Sequence, residues 1–212
     1  VFLFEDLELI YTTNHNWIYA IWTNLTIYLF LYILLTLEYF KNLSSSIHSR
    51  LHLFFYFIFF LLLINLIFVL FASPKPNIDV FEYARLGADY LLQGVNPYLK
   101  HYPDLYKGKY DLTNGFCYWP LPALGFTLSR WIFTDVRFIL VIFHVLAVWG
   151  LKKLVWNTIF TNTQKWLFIF LWLTFPVIYF VLEQSWVDIF ILPSIFFTAY
   201  YLEKEKILKV PM

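Results

Sequence analysis

Three clusters of this 212-residue chain carry side chains able to do chemistry. The first is Asp79 with Glu82 and Arg85. Positions three apart neighbour each other on a helix, so the two carboxylates share a face. A carboxylate partly desolvated at a membrane surface can serve as a general base. The same residues also read as an acidic helix start followed by surface charges. The second cluster is Gly94-Val95-Asn96-Pro97-Tyr98 with Tyr118-Trp119-Pro120-Leu121-Pro122. Such aromatic residues stack on sugar rings, and they equally mark membrane interfaces. The third is Glu183-Gln184-Ser185-Trp186-Val187-Asp188, between two apolar stretches and following Pro176. Acidic residues at the edge of a membrane span are costly unless they face water or a cavity, which makes them functional candidates by default. Glu183 could also be a solvated loop residue.

The elements that must position these clusters are apolar. Of the residues, 61% are hydrophobic, 24% aromatic and 14% charged, with mean hydropathy +0.66. Soluble domains carry about 25% charged residues. A domain of this size still exposes much of its surface, so the surplus must face lipid. The expectation is an integral, multi-pass membrane protein. The net charge of +1 gives no polyelectrolyte argument for a nucleic-acid partner. Cys117 is the one cysteine, which excludes an internal disulfide and a cysteine-rich metal site.

About 20 apolar residues cross a hydrocarbon core. Trp17 to Phe40 and Leu51 to Ala72 qualify, the first holding Asn24 and Glu38 near its ends, the second Asn65. Shorter apolar stretches follow at Leu121–Phe133, Phe138–Leu151, Trp166–Leu182 and Ile189–Leu202. Between Ser73 and Trp119 lie ten of the 29 charged residues, five of each sign. This is an extramembrane loop, of the long ordered kind that tends to carry function. Inside it Asp79–Leu92 reads as a helix with one apolar side (Phe81, Ala84, Ala88, Leu91, Leu92), suited to lying along the membrane surface. Gly94 and Asn96-Pro97 stop it.

Topology turns on Leu121–Phe133. If this stretch stays in the interface, Lys152, Lys153, Lys165, Lys204, Lys206 and Lys209 join Lys41 and Arg50 on one side. The positive-inside rule prefers that arrangement. The Asp79 loop and the Glu183–Asp188 segment then share the outer face, together with Arg130 and Arg137. The acidic start at Glu5, Asp6 and Glu8 does not fit the positive leader of a signal peptide. A chain that opens on Val1 and closes on Met212 just after a hydrophobic segment reads as a piece of a longer protein.

Several signatures are missing: a phosphate-binding glycine loop, HExxH, GxSxG and paired CxxC. The five histidines have no ligand spacing; His48 and His52, four apart, read as solvated at the end of a span. No metal and no cofactor is expected.

The order of the clusters resembles the GT-C superfamily of membrane glycosyltransferases. The stretch from Asp79 to Tyr98 reads D-x-F-x-Y-x-R-x-x-A-x-x-L-L-x-G-x-N-P-Y, and Tyr118-Trp119-Pro120-Leu121 follows. More narrowly these residues are similar to mannosyltransferase-like and arabinofuranosyltransferase-like members that use a polyprenyl-phosphate sugar. The resemblance covers roughly Ile78 to Asp188. It departs from the family pattern in two places. Trp119 replaces the first proline of Y-P-P-L, and Gln184 and Asp188 stand four apart with no preceding glycine.

The resemblance implies an all-α polytopic transmembrane bundle, one domain over 1–212 with 73–119 as its outer catalytic loop. It implies transfer of a sugar from a polyprenyl-phosphate donor to a hydroxyl of a glycan or lipid acceptor, with inversion, at the periplasmic face of a bacterial inner membrane or a lumenal face. It places the catalytic base at Asp79, with Asp188 as the second catalytic carboxylate. Glu82, Asn96, Tyr98, Tyr118, Glu183 and Gln184 would bind substrate. Arg85 and Arg130 would stabilise the leaving phosphate. The alternative is a transporter or flippase-like protein that binds lipid or sugar, which would place polar groups near the middle of the spans. Apart from Asn24, Asn65 and His144, the span interiors are nearly clean.

Overall fold

The computed structural model describes residues 9–39, 45–109 and 115–209. Glu5, Asp6, Glu8, Lys41 and the last three residues, 210–212, lie outside these. Eight helices follow in order: α1 (His15–Tyr39), α2 (Ser45–Ala72), α3 (Asp79–Leu92), α4 (Pro120–Phe133), α5 (Phe138–Trp156), α6 (Asn162–Thr174), α7 (Pro176–Glu183) and α8 (Leu192–Lys209). Single 3₁₀ turns occupy Pro97–Leu99 and Val187–Phe190. Among the described residues there is no strand. The protein is all-helical.

Among the described residues, two helices are long and apolar enough to cross a membrane: α2 over Phe55–Ala72, and α5 over Phe138–Trp156. A third span exists if α6 and α7, bent by 41°, count as one. The bend sits at Pro176, whose ring removes a backbone donor. Carbonyls freed by such a break need new partners in an apolar setting. Tyr179 supplies one, its hydroxyl donating to the Leu173 carbonyl at 2.8 Å.

One polar pair crosses the bundle. Asn65 is fully buried and accepts a 2.8 Å bond from the Asn24 amide, tying α1 to α2. The rest of this interior is aromatic and aliphatic. Trp166 stands at its centre against Phe55, Phe170 and the edge of Trp156.

The helix ends are gathered by one buried guanidinium. Arg137, at 0% exposure, donates to the carbonyls of Ser73 (2.7 Å), Leu70 (3.1 Å) and Glu183 (3.2 Å) and pairs with Asp135 at 2.6 Å. The C-terminal ends of α2 and α7 and the start of α5 therefore meet at one place. The backbone of Thr13 and Asn14 also bonds the Ala72 carbonyl, which brings the start of α1 there as well.

Helix α4 has 14 residues and measures about 21 Å at 1.5 Å per residue, short of a hydrocarbon core of about 30 Å. It does not carry the chain to the other end, because α2 finishes and α5 begins at the same Arg137 junction. Its partner is α3. The apolar side of α3, read from the sequence as a face for the membrane surface, is covered by protein over Phe81, Ala84 and Ala88, which are buried, while Leu91 is half-buried and Leu92 exposed. The small Ala84 and Ala88 side chains allow the close approach.

Candidate functional site

Asp79 is the first residue of α3; Ile78 stands at the N-cap and offers no side-chain bond. The Asp79 carboxylate instead turns to the loop. Its Oδ1 accepts from the Val80 amide at 2.8 Å and from the Tyr106 hydroxyl at 3.0 Å. Oδ2 has no partner among the described residues.

Around Asp79 stands a wall of aromatic hydroxyls. Tyr83 follows one turn later and stacks on Tyr102 with 4.3 Å between ring centroids. Burial and then the charges of Cys117, Asp79 and Asp104 push Tyr83 up to about 12. Tyr11 is raised by burial, then by Glu183 and Asp79. Tyr106 is raised by burial and by its bond to Asp79. Tyr118 is raised by burial, then by Cys117, with Asp79 and Asp188 both contributing. The same hydroxyl group thus feels both candidate carboxylates. Asp79 and Asp188 lie at one end of the bundle, although 109 positions separate them in sequence.

Asp188 is exposed and belongs to the 3₁₀ turn Val187–Phe190. Packing holds that turn. The Phe190 ring lies so near Gly125 of α4 that a Cβ there would come within 2.7 Å of it. Phe190 also meets Phe126 edge-on at 5.5 Å.

Glu183 is fully buried and its carboxylate is engaged by the fold. Oε2 accepts from the Ile10 amide at 2.9 Å, while Oε1 accepts from the Tyr11 amide at 2.9 Å and from the Ser73 hydroxyl. It anchors the segment before α1 over the site. Gln184 is also buried and accepts from the Trp186 indole N–H at 3.1 Å. Asn96 caps the 3₁₀ turn by accepting from the Tyr98 amide, and Tyr98 lies edge-on to Phe116.

The structure does not bring Arg85 and Arg130 to Asp79. Asp79 and Arg85 are six positions apart, which turns them about 120° from each other around α3. Arg85 pairs with Glu82 at 2.6 Å and Asp89 at 3.5 Å; Arg130 pairs with Asp89 at 2.8 Å. This ion-pair chain, Glu82 included, locks α3 onto α4 on the side away from the Tyr106 bond.

Sequence reasoning missed Tyr11, Ser73, Tyr83 and Tyr106 as members of this site. The hydroxyls of Thr12, Tyr83 and Ser185 are buried with no hydrogen-bond partner among the described residues. Ser185 also holds φ at +66°, an uncommon conformation for a residue with a side chain. Among the described residues no group of three His, Cys, Asp or Glu side chains could hold a metal ion.

Comparison with protein families, curated proteins and solved structures found no match.

Proposed function

We propose that this protein is an inverting membrane glycosyltransferase, with Asp79 as the base. The donor is a sugar linked to polyprenyl phosphate, and the acceptor is a hydroxyl of a glycan or lipid. Asp79 Oδ2 takes the proton of that hydroxyl while its oxygen attacks the anomeric carbon. The bond from that carbon to the phosphate oxygen breaks from the opposite face, and polyprenyl phosphate leaves with the electron pair. Asp188 lies on the same side and is placed to hold the sugar by its hydroxyls.

The observation that carries this reading is that one Arg137 guanidinium gathers the Ser73 and Glu183 carbonyls, so that Asp79, six residues beyond Ser73, and Asp188, five beyond Glu183, both follow from the same end of the bundle. The donor class rests on the GT-C resemblance of Asp79–Tyr98 and Tyr118–Leu121. The positive-inside pattern supports an outer, periplasmic or lumenal, location for this end.

The test is direct. Purified protein in lipid nanodiscs is given radiolabelled polyprenyl-phosphate mannose or arabinose with a glycan acceptor, and the anomeric configuration of the product is determined. Transfer with inversion that disappears in Asp79→Asn is the expected result. Transfer that persists in Asp79→Asn removes Asp79 from the role of base.

A transporter reading has one observation in its favour. His144 is buried inside α5 beside Trp172, and neither ring nitrogen has a partner among the described residues. Uptake of a labelled sugar or lipid that needs His144 but not Asp79 would replace the transferase reading.

A further inference from the structure

A separate concavity borders α3. Lys75, Phe81, Glu82, Arg85 and Arg130 enclose about 430 Å³. A neighbouring hollow of about 290 Å³ shares all of these but Glu82 and extends along Phe71, Phe133 and Phe138. Its place in the fold is defined by the spans, lying just beyond the last residue of α2 and against the first of α5. That is the depth at which a bilayer changes from acyl chain to headgroup.

The charges are arranged for an anion. Arg85 and Arg130 share two carboxylates, Glu82 and Asp89, and Asp135 is taken by Arg137. Lys75 has no carboxylate partner among the described residues. Its backbone is restricted by Pro74 and Pro76 on both sides, and its side chain is exposed. On the bundle side the wall is aromatic, and Phe71 and Phe133 are exposed where chains of a lipid would run.

We propose that this concavity binds the headgroup of an anionic membrane phospholipid, its phosphate on Lys75, Arg85 and Arg130 and its chains against Phe71, Phe133 and Phe138. The volume suits a small ligand group. The apolar wall selects an amphiphile over free phosphate, and the surplus lysine selects a lipid with net negative charge. Bound there, the lipid bridges the Pro74–Pro76 linker, α3 and α4. The proposal rests on the position of the α2 and α5 ends and is independent of the transferase reading.

Native mass spectrometry of the detergent-purified full chain tests it, with phosphatidylglycerol and phosphatidylcholine offered in equal amounts. Phosphatidylglycerol is expected to bind at least tenfold more tightly. Lys75→Gln, a change on an exposed linker, is expected to weaken it about fivefold, the usual contribution of one basic residue near a lipid surface. Arg85→Gln, which also removes an ion pair, is checked first for an unchanged melting temperature. Equal binding of the two lipids, or undiminished phosphatidylglycerol binding in Lys75→Gln, overturns the proposal. So does displacement by millimolar inorganic phosphate, which would assign the pocket to phosphate alone. Tighter binding of polyprenyl phosphate than of phosphatidylglycerol overturns it in favour of the transferase donor.

Discussion

The Tyr106 hydroxyl donates a 3.0 Å hydrogen bond to Asp79 across 27 positions of chain. This bond, with that from the Val80 amide, engages Oδ1 and leaves Oδ2 without a partner among the described residues. A hydrogen bond to a charged group contributes about 1.5 kcal/mol or more. Tyr106→Phe is therefore expected to lower the turnover of sugar transfer roughly tenfold with the fold intact. Unchanged turnover in a folded Tyr106→Phe protein would show that the bond positions nothing used in transfer.

Asp79→Asn keeps the size of the side chain and removes the base. General acid–base groups contribute about 10²–10⁴-fold, and a loss of that order is expected with little change in melting temperature, since Asp79 caps no buried group. An Asp188→Asn protein should show its effect in the KM for donor. If both variants turn over at the parental rate, the cleft is not the site of transfer.

Arg137 is the mechanical centre of this end of the molecule. Removing one partner of a buried, hydrogen-bonded charge pair costs about 3–5 kcal/mol, and Arg137→Met additionally strips the Ser73, Leu70 and Glu183 carbonyls of their donor. The variant should unfold at markedly lower temperature or denaturant in detergent. Parental stability would mean that water or lipid replaces the guanidinium without loss.

Gly125 lets α4 approach the Val187–Phe190 turn. A methyl group at this position meets Phe190 at 2.7 Å. Overpacking of this kind costs about 1–3 kcal/mol. Gly125→Ala should therefore destabilise the protein by that amount and impair transfer through displaced Asp188. The control is Phe190→Leu in the same background, which vacates the space. Failure of that second change to restore either property would dissociate Gly125 from the turn.

Cys117 reports both electrostatics and sidedness. Burial is the largest influence on it and, with Asp79, pushes the thiol above its ordinary value, outweighing the opposing bond with Tyr118. Because the thiolate is the nucleophile, alkylation should be slow at neutral pH and accelerate as the pH rises through a value above the usual thiol range. Asp79→Asn removes one raising influence and should shift that profile to lower pH. In intact cells a membrane-impermeant maleimide should reach Cys117 from outside. For a lumenal face the same test is run on sealed microsomes, where Cys117 should be protected until the vesicles are opened; labelling of closed microsomes, or of bacterial cells only after permeabilisation, would turn the whole site to the cytoplasm.

The amino-acid sequence by itself led to the expectation of a membrane protein, because 61% hydrophobic residues cannot be hidden in one core of this size, and two helices apolar enough to span a membrane among the described residues fit that expectation. It also located the loop 73–119 and the α3 helix with its Gly94 stop, since capping, proline chemistry and charge density are local properties. Asp79 and Asp188 stood out by their places, at a helix start and at a span edge, and through the GT-C resemblance. Tertiary structure decided what each neighbour does. Glu183 is a charge at a span edge in the sequence, yet folding spends its carboxylate on Ile10, Tyr11 and Ser73, 110 to 173 positions away. Arg85 is near Asp79 in sequence, but it lines the concavity of Lys75, Phe81 and Arg130 and pairs with Glu82 and Asp89. Tyr11 and Tyr106 carried no signal among 16 tyrosines in a membrane protein; only the return of distant segments to one helix end made them neighbours of Asp79. Residue types and local periodicity persist at every position of a sequence, whereas pairing across a hundred residues is set by how the spans pack.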